Sequence, residues 1–485
     1  MATDLPTAPR PTPPKLNPVR VPVPEEPPTA RTADFREVLH AYSREEAVLE
    51  AKRCIQCRRP WCVEACPISQ DCKEYIRLIA ADDFDGAARV TVRDDPLATS
   101  LCKVCYHYCE ESCVITKKGV PIAIRHLKRA ALDFGESDLL YVPSRPKSQR
   151  IAVVGAGPAG LMAAWDLGVR GYGVTVFEQE PRVGGLMQTI PAYRMTDADV
   201  QRDVARFREL DVRFETERKI GRDEPLAGLL GEGYAAVFLS IGTPDHRILG
   251  IPGESLPGVI PALEYLKETN GGVTVPVGRE IVVVGGGDVA MDSVRTALRT
   301  SAGGRVTLVY RRGREEMPAD PEEVAGAEHE GIRFVFQRSP VRIEGSDHVV
   351  GLVVQTVELG PPDAGGRRAP TAVPGSETTI PCDTVIVAVG QKADLTGIGP
   401  EFDLRIAAQG WPEGKGPGYR TAVPGVYAAG GRSVVYAMGA AMEAVVAIDE
   451  DLSKRRGEAP TPRPDPFGGP GVFHLPPGYT KPIRQ

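Results

Sequence analysis

The spacing of apolar positions changes its period along the chain, and the changes divide it. "YSREEAVLEAKRC" (Tyr42 to Cys54) has helical spacing. Ser43 stands at the N-cap, Glu46 completes a capping box, and the predicted helix delivers Cys54 at its end. Helical stretches such as "EYIRLIAADDFDGAARV" then separate groups of cysteines. At Ile151 the pattern becomes "IAVVGAGPAGLMAAWDLGVRGYGVTVFEQE", which reads as strand, glycine-rich turn, helix and strand. The plan recurs at "EIVVVGGGDVAMDSVRTALRTSAGGRVTLVYRR", giving two βαβ units. Strand-like runs "VVGLVVQTVEL" and "DTVIVAVG" follow, then a strand, turn and helix in "GVYAAGGRSVVYAMGAAMEAVVAIDEDL".

Outside these segments the chain is punctuated by proline. Ten prolines fall in residues 1–30, which predicts an extended arm. "VPSRPKSQR" (Val142 to Arg150) reads as a linker, and from Ser453 onward the composition predicts little regular structure.

With 485 residues, the chain has room for about three domains. A net charge of -6 argues against nucleic acid as the main partner, because phosphate binding needs a basic surface. No uninterrupted apolar stretch of ~20 residues predicts a membrane span, and the N-terminus lacks the apolar core of a signal peptide. The expected location is the cytoplasm, where thiols stay reduced. Nine of the ten cysteines lie between Cys54 and Cys113, so the clustering points to a metal site and not to disulfides.

The first βαβ unit carries Gly155-Ala156-Gly157-Pro158-Ala159-Gly160 between strand and helix. The first glycine makes the turn, the second admits a pyrophosphate, and the third lets the helix pack on the strand. Glu178 ends the next strand as the expected acceptor for a ribose hydroxyl. The second unit has Gly285-Gly286-Gly287-Asp288-Val289-Ala290, and its second strand ends in Arg311 and Arg312 where the first had an acid. Arginine suits a 2′-phosphate. The first site is therefore read as FAD and the second as NADPH, with NADH the weaker option. Residues 151–381 contain no cysteine, which excludes a redox disulfide in the first unit. Electrons leaving a flavin need another exit, and the cysteine segment is the candidate.

The cysteines form two runs, Cys54-x2-Cys57-x4-Cys62-x3-Cys66-Pro67 and Cys102-x2-Cys105-x3-Cys109-x3-Cys113. A four-cysteine zinc site is the rival, but zinc usually takes two short pairs. The compact run ending in Cys-Pro matches the two-cluster ferredoxin arrangement, in which the fourth cysteine serves the other cluster.

Over roughly residues 34–450 the chain resembles the glutamate synthase small (β) subunit family. It is similar also to the large subunit of NADH-dependent ferredoxin–NADP oxidoreductase and to the N-terminal part of dihydropyrimidine dehydrogenase. The motifs are "DFREV…EAKRCIQCRRPWCVEACPI", "KKGVPIAIRHLKRAALDF", "VGAGPAGL", "GGLMQTIPAYR", "LSIGTPDHRILGIPGE", "GGGDVAMD" and "YRRGREEMPADPEEV…EGI". The resemblance implies an α/β protein in which an N-terminal α-helical double [4Fe-4S] domain precedes two Rossmann-like domains, the NADPH domain inserted in the FAD domain. The expected boundaries are an arm at 1–33, an iron–sulfur domain at 34–145, an FAD domain at 146–272 and 383–452, an NAD(P)H domain at 273–382, and a tail at 453–485. The resemblance also implies that Gly185, Leu186, Arg194, Ser240, Gly242 and Ala437 to Gly439 contact the flavin. It puts Cys54, Cys57 and Cys62 on one cluster, and Cys66, Cys105, Cys109 and Cys113 on the other.

Three departures from the family pattern stand out. The fourth ligand beside Cys54, Cys57 and Cys62 falls at Lys128, whose ammonium has no lone pair; Cys102 or Cys72 are the substitutes, or the corner is empty. The Cys105–Cys109 loop is short. Gly430-Gly431 replaces a late Ala-Gly-Asp whose aspartate holds the ribityl chain. The expected activity is an NAD(P)H-dependent flavin/iron–sulfur oxidoreductase subunit, with no acid–base residue assigned. Its expected partner is a larger redox or synthase subunit, or alternatively a small ferredoxin-reductase-like flavoprotein, with ferredoxin a further candidate. A non-enzymatic interaction subunit is the reading from a different class.

Overall fold

The computed structural model describes residues 17–136, 144, 146–362 and 368–463. Residues 1–16 of the proline-rich arm, residues 137–143, 145 and 363–367, and residues 464–485 of the tail lie outside the described residues, so the expected linker at 142–150 is described only in part. The chain forms two compact units, one made of residues 1–24, 41–95 and 107–137, the other of 25–40, 96–106 and 138–485.

The first unit is helical. Its principal helices are Arg44–Ala51, Cys72–Ala80, Phe84–Asp94 and Ile124–Phe134. The first begins at Ser43 with the expected capping box to Glu46. Tyr75, Ile76, Ile79, Phe84, Leu127 and Ala131 form the core, and Cys54, Cys62, Cys109 and Cys113 pack against it. One carboxylate ties three segments of this unit. Glu50 is fully buried and accepts from Arg53 NH1 at 2.6 Å and from the backbone amides of Val21 and Ala123, both at 2.9 Å. The segment around Val21, the first helix and the approach to the last helix thus share one charge.

The second unit contains two five-stranded parallel sheets. In the first, the strand order is Val426–Ala428, Tyr234–Leu239, Arg150–Val154, Gly173–Phe177 and Val212–Glu215. The strands read as near-continuous apolar runs because helices cover them, among them Pro158–Val169 and Val434–Arg456. The second sheet runs Val259–Pro261, Thr384–Ala388, Glu280–Gly285, Arg305–Tyr310 and Arg333–Phe336. Arg338–Gly345, Val349–Pro362, Arg368–Ala372 and Thr378–Pro381 form a separate antiparallel sheet.

Several boundaries differ from the sequence expectation. Val259–Pro261 and Thr384–Ala388 belong to the second sheet, so that sheet reaches beyond 273–382 on both sides. The last helix continues to Arg456, ending at Gly457 in the left-handed region (φ 71°), past the expected tail boundary at 453. Residues 25–40 and 96–106 belong to the nucleotide unit. Physical ties account for both segments. Arg31 is buried and pairs with Glu330 at 3.0 Å, and Val38 N donates to Tyr193 O at 3.0 Å. The amides of Thr99 and Ser100 donate to the Asp203 carboxylate at 3.0 and 2.8 Å. Hydrophobic periodicity does not report such polar anchors.

Replacing Glu50 by alanine strands a buried guanidinium and two amides. Glu50→Ala should cost about 3–5 kcal/mol in urea unfolding of the chain. A loss below about 1 kcal/mol would show that the three segments are held by other contacts.

Candidate functional site

A cavity of about 470 Å³ lies in the second unit. Its wall includes Gly155, Gly157, Ala159, Glu178, Gly185, Leu186, Arg194, Ser240, Gly242, Gly430 and Ala437 from the first βαβ unit and its surroundings. Asp288 and Val289, which open the helix of the second βαβ unit, line the same cavity. Gly160 and Gly439 lie behind the wall, as do the second turn's Gly285 and Gly287, and the Arg311–Arg312 pair is also outside it.

The first turn shows why its glycines are needed. Gly155 has φ 101°, and a Cβ there would sit 2.5 Å from Ser240 O. A Cβ on Gly160 would lie 1.8 Å from Gly155 O, so a side chain would push the helix off the strand. Beside Gly157, in contrast, the nearest atom to an added Cβ is Gly185 Cα at 3.9 Å, which leaves the backbone open to a ligand. This cradle fits a pyrophosphate at a helix N-terminus.

Glu178 is buried and serves the turn directly. Its carboxylate accepts from Ala156 N at 2.7 Å and from Glu180 N at 2.9 Å. Burial raises its pKa, and these amides work against the rise. Ser240 donates from Oγ to Val154 O and Gly155 O, both at 3.1 Å, so its hydroxyl braces the turn. At the far side, a Cβ on Gly430 would meet the Trp411 ring at 2.7 Å and one on Gly431 would meet Ala437 N at 2.2 Å. Crowding therefore demands the glycine pair. The next residue, Arg432, lines the cavity with its guanidinium carbon 4.4 Å from the centroid of the Tyr436 ring.

Arg194 is committed to ion pairs, with Asp292 at 2.7 Å and Glu323 at 3.0 Å. Burial works to lower its pKa, but these two acids hold it above its usual value. Asp288 accepts from Asp320 N at 2.9 Å and from the Tyr106 hydroxyl. Burial pushes the Asp288 pKa up to about 7, with Asp292, Asp320 and Glu323 adding to the rise. Sequence reasoning missed Tyr106, Asp292 and Trp411, all of which line the cavity. Asp292 carried a signal: it lies one helical turn after Asp288, on the same face. Tyr106 and Trp411 carried none, because loop geometry alone places them.

At the second turn, Gly285 has φ 155° and a Cβ there would meet Ala388 O at 2.3 Å. The Tyr310 ring packs on Gly286, where a Cβ would lie 2.4 Å from the ring edge. Arg312 donates from Nε to Arg368 O at 2.9 Å, and Arg311 stands exposed at the strand end.

All ten cysteines are free thiols. In the first unit, burial pushes Cys54 up to about 12, and Cys62, Cys57 and Cys113 add to the rise. Cys57 is raised by burial, then by Cys62 and Cys113. Cys113 is raised by burial and also by Cys62. Cys54, Cys57 and Cys113 thus each feel the charge of Cys62. Cys66 is pushed up to about 11, by burial and then by Cys109, while Lys128 works the other way. The resemblance put Cys113 with Cys66, Cys105 and Cys109; in the structure Cys113 acts on the pKa of Cys54 and Cys57, and Cys109 on that of Cys66. Cys105, at the C-cap of helix Ala98–Val104, belongs to the second unit.

The three residues considered for an open corner are also placed. Lys128 is buried and pairs with Asp95 at 3.0 Å, so its ammonium is occupied as a charge. Cys102 donates from Sγ to Thr99 O at 3.2 Å within its own helix. Cys72 is buried, and its pKa is raised well above the usual value, first by Cys109 and then by Cys62. Thiols packed against an apolar core are a soft donor set. They fit iron–sulfur ligation and not a hard cation.

Comparison with known proteins agrees with this division. Residues 31–138 match the family model described as dihydropyrimidine dehydrogenase domain II, 4Fe-4S cluster, and residues 149–450 match that of pyridine nucleotide-disulphide oxidoreductase. A glutamate synthase [NADPH] small chain of Halomonas elongata is 36% identical over 76% of this chain and 80% of its own length. The corresponding small chain of Azospirillum brasilense is 33% identical over 90% of this chain and 96% of its own. The NADPH-Fe(3+) oxidoreductase subunit beta of Geobacter sulfurreducens is 39% identical over 71% of this chain, which spans 53% of that protein. Among solved structures, Mycobacterium tuberculosis FprA in complex with NADPH shares the fold, with a TM-score of 0.54 at 22% identity over 67% of this chain and 88% of that one. No helix among the described residues is long and apolar enough to cross a membrane. The chain therefore belongs to the pyridine nucleotide-disulphide oxidoreductase family, as an iron–sulfur-bearing oxidoreductase of the group that includes the glutamate synthase small chains.

Proposed function

We propose that this chain is the NADPH-linked electron-input subunit of a larger redox enzyme. FAD would occupy the cavity and NADPH the second βαβ unit. The observation that carries this reading is the shared wall: residues of the FAD turn and Asp288-Val289 of the second turn border one cavity. When bound, such cofactors supply hydride transfer from nicotinamide to flavin and one-electron transfer to iron–sulfur clusters. The chain's own contribution is placement. Gly157 leaves room for the pyrophosphate and Glu178 fixes the turn while keeping lone pairs for a ribose. Gly185 and Leu186 wall the flavin space, and Arg311 and Arg312 receive the 2′-phosphate. Val104 and Tyr106 also line the cavity, which supports an electron exit toward Cys105 between them.

For the clusters, the proximities favour Cys54, Cys57, Cys62 and Cys113 as one complete [4Fe-4S] ligand set. The sequence pattern then leaves Cys66, Cys105 and Cys109 for a second cluster, which takes over the uncertain corner. The domain plan would be a cysteine domain followed by an FAD domain interrupted by the NADPH domain.

The partner we favour is a large glutamine-hydrolysing synthase chain, because small chains of that enzyme match over most of their length. A second reading is the beta subunit of another NADPH-linked complex, favoured by the match to the Geobacter protein. Purification with native partners separates them. A very large glutaminase-bearing chain supports the first, and a small flavoprotein or metal-reductase partner supports the second.

Three outcomes test the assignments. Arg311→Ala with Arg312→Ala should lower kcat/KM for NADPH about 10- to 100-fold while leaving NADH nearly unchanged, since each charged hydrogen bond contributes about 1.5–3 kcal/mol. An NADH preference in the unaltered chain that survives both changes would sink the NADPH assignment. Cys113→Ala should lose about four irons per chain and spare the rest; loss of the Cys66 group's cluster instead would restore the other grouping. Asp288 supplies a pH test. Its folded pKa of about 7 exceeds the unfolded value near 3.8, so the folded chain binds the extra proton and loses stability as pH rises between them. Relative to the unaltered chain, Asp288→Asn should therefore gain on the order of 2 kcal/mol between pH 5 and pH 8 in unfolding experiments. A difference that stays flat across that range would refute the raised pKa.

A further inference from the structure

The antiparallel sheet has no task in the function proposed above, yet one of its hairpins ends beside the arginine pair assigned to the 2′-phosphate. Ligands of an open parallel sheet bind beyond the carboxyl ends of its strands. In the second sheet that edge holds the Gly285–Gly287 turn and, after strand Arg305–Tyr310, Arg311 and Arg312. Tyr310 links the two places: its ring packs on Gly286, and its hydroxyl donates to Glu316 O at 2.9 Å. The hairpin of Val349–Pro362 and Arg368–Ala372 reaches the same edge. The parallel and antiparallel sheets join at Gln337, between strands Arg333–Phe336 and Arg338–Gly345, in the left-handed region with φ 54°. A non-glycine residue holds that conformation only when its surroundings impose it. Here Gln337 N donates to Arg312 O at 3.1 Å, and Gln337 O accepts from Val357 N of the hairpin at 3.0 Å.

Arg312 is thus fixed twice, its backbone by the junction and its side chain by the hairpin, where Nε donates to Arg368 O at 2.9 Å. That bond uses Nε and leaves the terminal N–H groups of the fork for a ligand. The Arg368 side chain is fixed as well. Its Nε donates to Gly360 O at 3.0 Å and its NH2 to Leu359 O at 3.2 Å, where the hairpin register slips between Leu359 and Pro362. Its NH1 lies 3.6 Å from Glu316 Oε1. The plain role for Arg368 is to close this irregular end of the hairpin. Water satisfies such carbonyls too, and the Arg368 side chain is 45% exposed, so closure needs no charge. Charge is what the edge gathers. Arg311, Arg312 and Arg368 meet there, while Arg314 is paired with Glu328. The carboxylate beside Arg368, Glu316, also accepts from Gly313 N at 3.0 Å. A phosphate with two charges suits such a group of guanidiniums.

We propose that this hairpin is the second wall of the NADPH site and that Arg368 is a specificity-determining residue for the 2′-phosphate. Its guanidinium adds a third positive charge, and its carbonyl orients Arg312. The inference rests on the NADPH reading of the second βαβ unit and adds a residue from outside that unit. An arginine at the end of a strand has many rotamers, and gripping a phosphate costs it that freedom. A guanidinium already held by two carbonyls and a carboxylate loses less. The hairpin therefore pre-organises the cations before the nucleotide arrives. NADH carries no 2′-phosphate and gains nothing from the arrangement, so the contribution of Arg368 appears as a difference between the two nucleotides.

The test is isothermal titration calorimetry on the full chain with its native partners, using adenosine 2′,5′-bisphosphate and 5′-AMP, which differ only in the 2′-phosphate. kcat/KM for NADPH and for NADH is measured in parallel. Arg368→Ala should weaken binding of the bisphosphate about 10-fold, the effect of one charged hydrogen bond at an exposed site, with a far smaller change for 5′-AMP. The ratio of kcat/KM for NADPH to that for NADH should fall by a similar factor, through KM. Arg368→Lys should recover part of the loss, because the charge returns without the fork; a lysine variant as weak as the alanine one would overturn the charge-based role. Equal weakening of both nucleotides would make Arg368 a structural residue and overturn the proposal. So would an Arg368→Ala chain that keeps full discrimination while Arg311→Ala with Arg312→Ala loses it. Should Arg368→Ala not fold, hydrogen exchange on the unaltered chain decides. The bisphosphate should protect amides of residues 349–372 more than 5′-AMP does, and equal protection overturns the proposal. An unaltered chain that binds both nucleotides equally refutes the NADPH reading itself, before any variant is compared.

Discussion

The nucleotide unit depends on how closely one helix approaches one strand. A phosphate can meet a helix N-terminus only if the backbone of the preceding turn is bare and near. At Gly155–Gly160 the approach is so tight that a single methyl group at the third glycine would sit 1.8 Å from a carbonyl oxygen. Neighbouring strands hold the turn in place. Tyr234–Leu239 on one side leads to Ser240, whose hydroxyl donates to Val154 O and Gly155 O. Gly173–Phe177 on the other side leads to Glu178, which clamps Ala156 N. Sheet order therefore determines which side chains brace the turn. The second unit repeats the constraint with a slacker third position. Ala290 fits there, with its Cβ 3.1 Å from where a Gly285 Cβ would lie.

A second organising feature is buried charge. Glu330 accepts from Arg299 at 2.8 Å and from Arg295 at 2.7 Å, and pairs with Arg31 at 3.0 Å. Burial works to raise the Glu330 pKa, but the arginines hold it below the usual carboxylate range. Arg295 also pairs with Glu323, which pairs with Arg194 in the cavity wall. Such networks add little net stability over an apolar core, because desolvation offsets much of the attraction. They do penalise misplacement heavily, since any displaced member leaves an unpaired charge. The network links the segment around Arg31, the cavity residue Arg194, and the helices Asp288–Thr300 and Pro321–His329. It fixes the cavity wall at Arg194.

What could be read from the sequence was local. Both glycine turns, the capping box at Ser43, the strands around them and the cysteine runs are patterns within about thirty residues, and the structure has each in place. What could not be read was pairing at long range. The second sheet takes Val259–Pro261 as an edge strand, but a three-residue strand carries almost no periodicity. Residues 25–33 read as part of an extended arm because of their prolines, yet Arg31 is buried and paired with a carboxylate 299 positions later. Arg194 matched a flavin-contacting motif, but two acids from another βαβ unit claim its guanidinium. Asp288 was legible as a motif residue, whereas its raised pKa depends on burial that no motif encodes.

The cysteine grouping shows the same limit in its sharpest form. Spacing says which residues are ligand candidates, and it cannot say which sulfurs face each other, because three or four residues of chain can turn a thiol either way. The helical core decides. Cys109 and Cys113 are one turn apart in sequence, yet Cys113 acts on the pKa of Cys54 and Cys57 while Cys109 acts on that of Cys66. Lys128, the position suspected beside the first three cysteines, instead acts on Cys66, with its ammonium held by Asp95. A buried cation beside a thiolate lowers the cost of the anion. Lys128 is thus better suited to neutralising a cysteine-ligated centre than to completing one, and Asp95 keeps it from doing anything else.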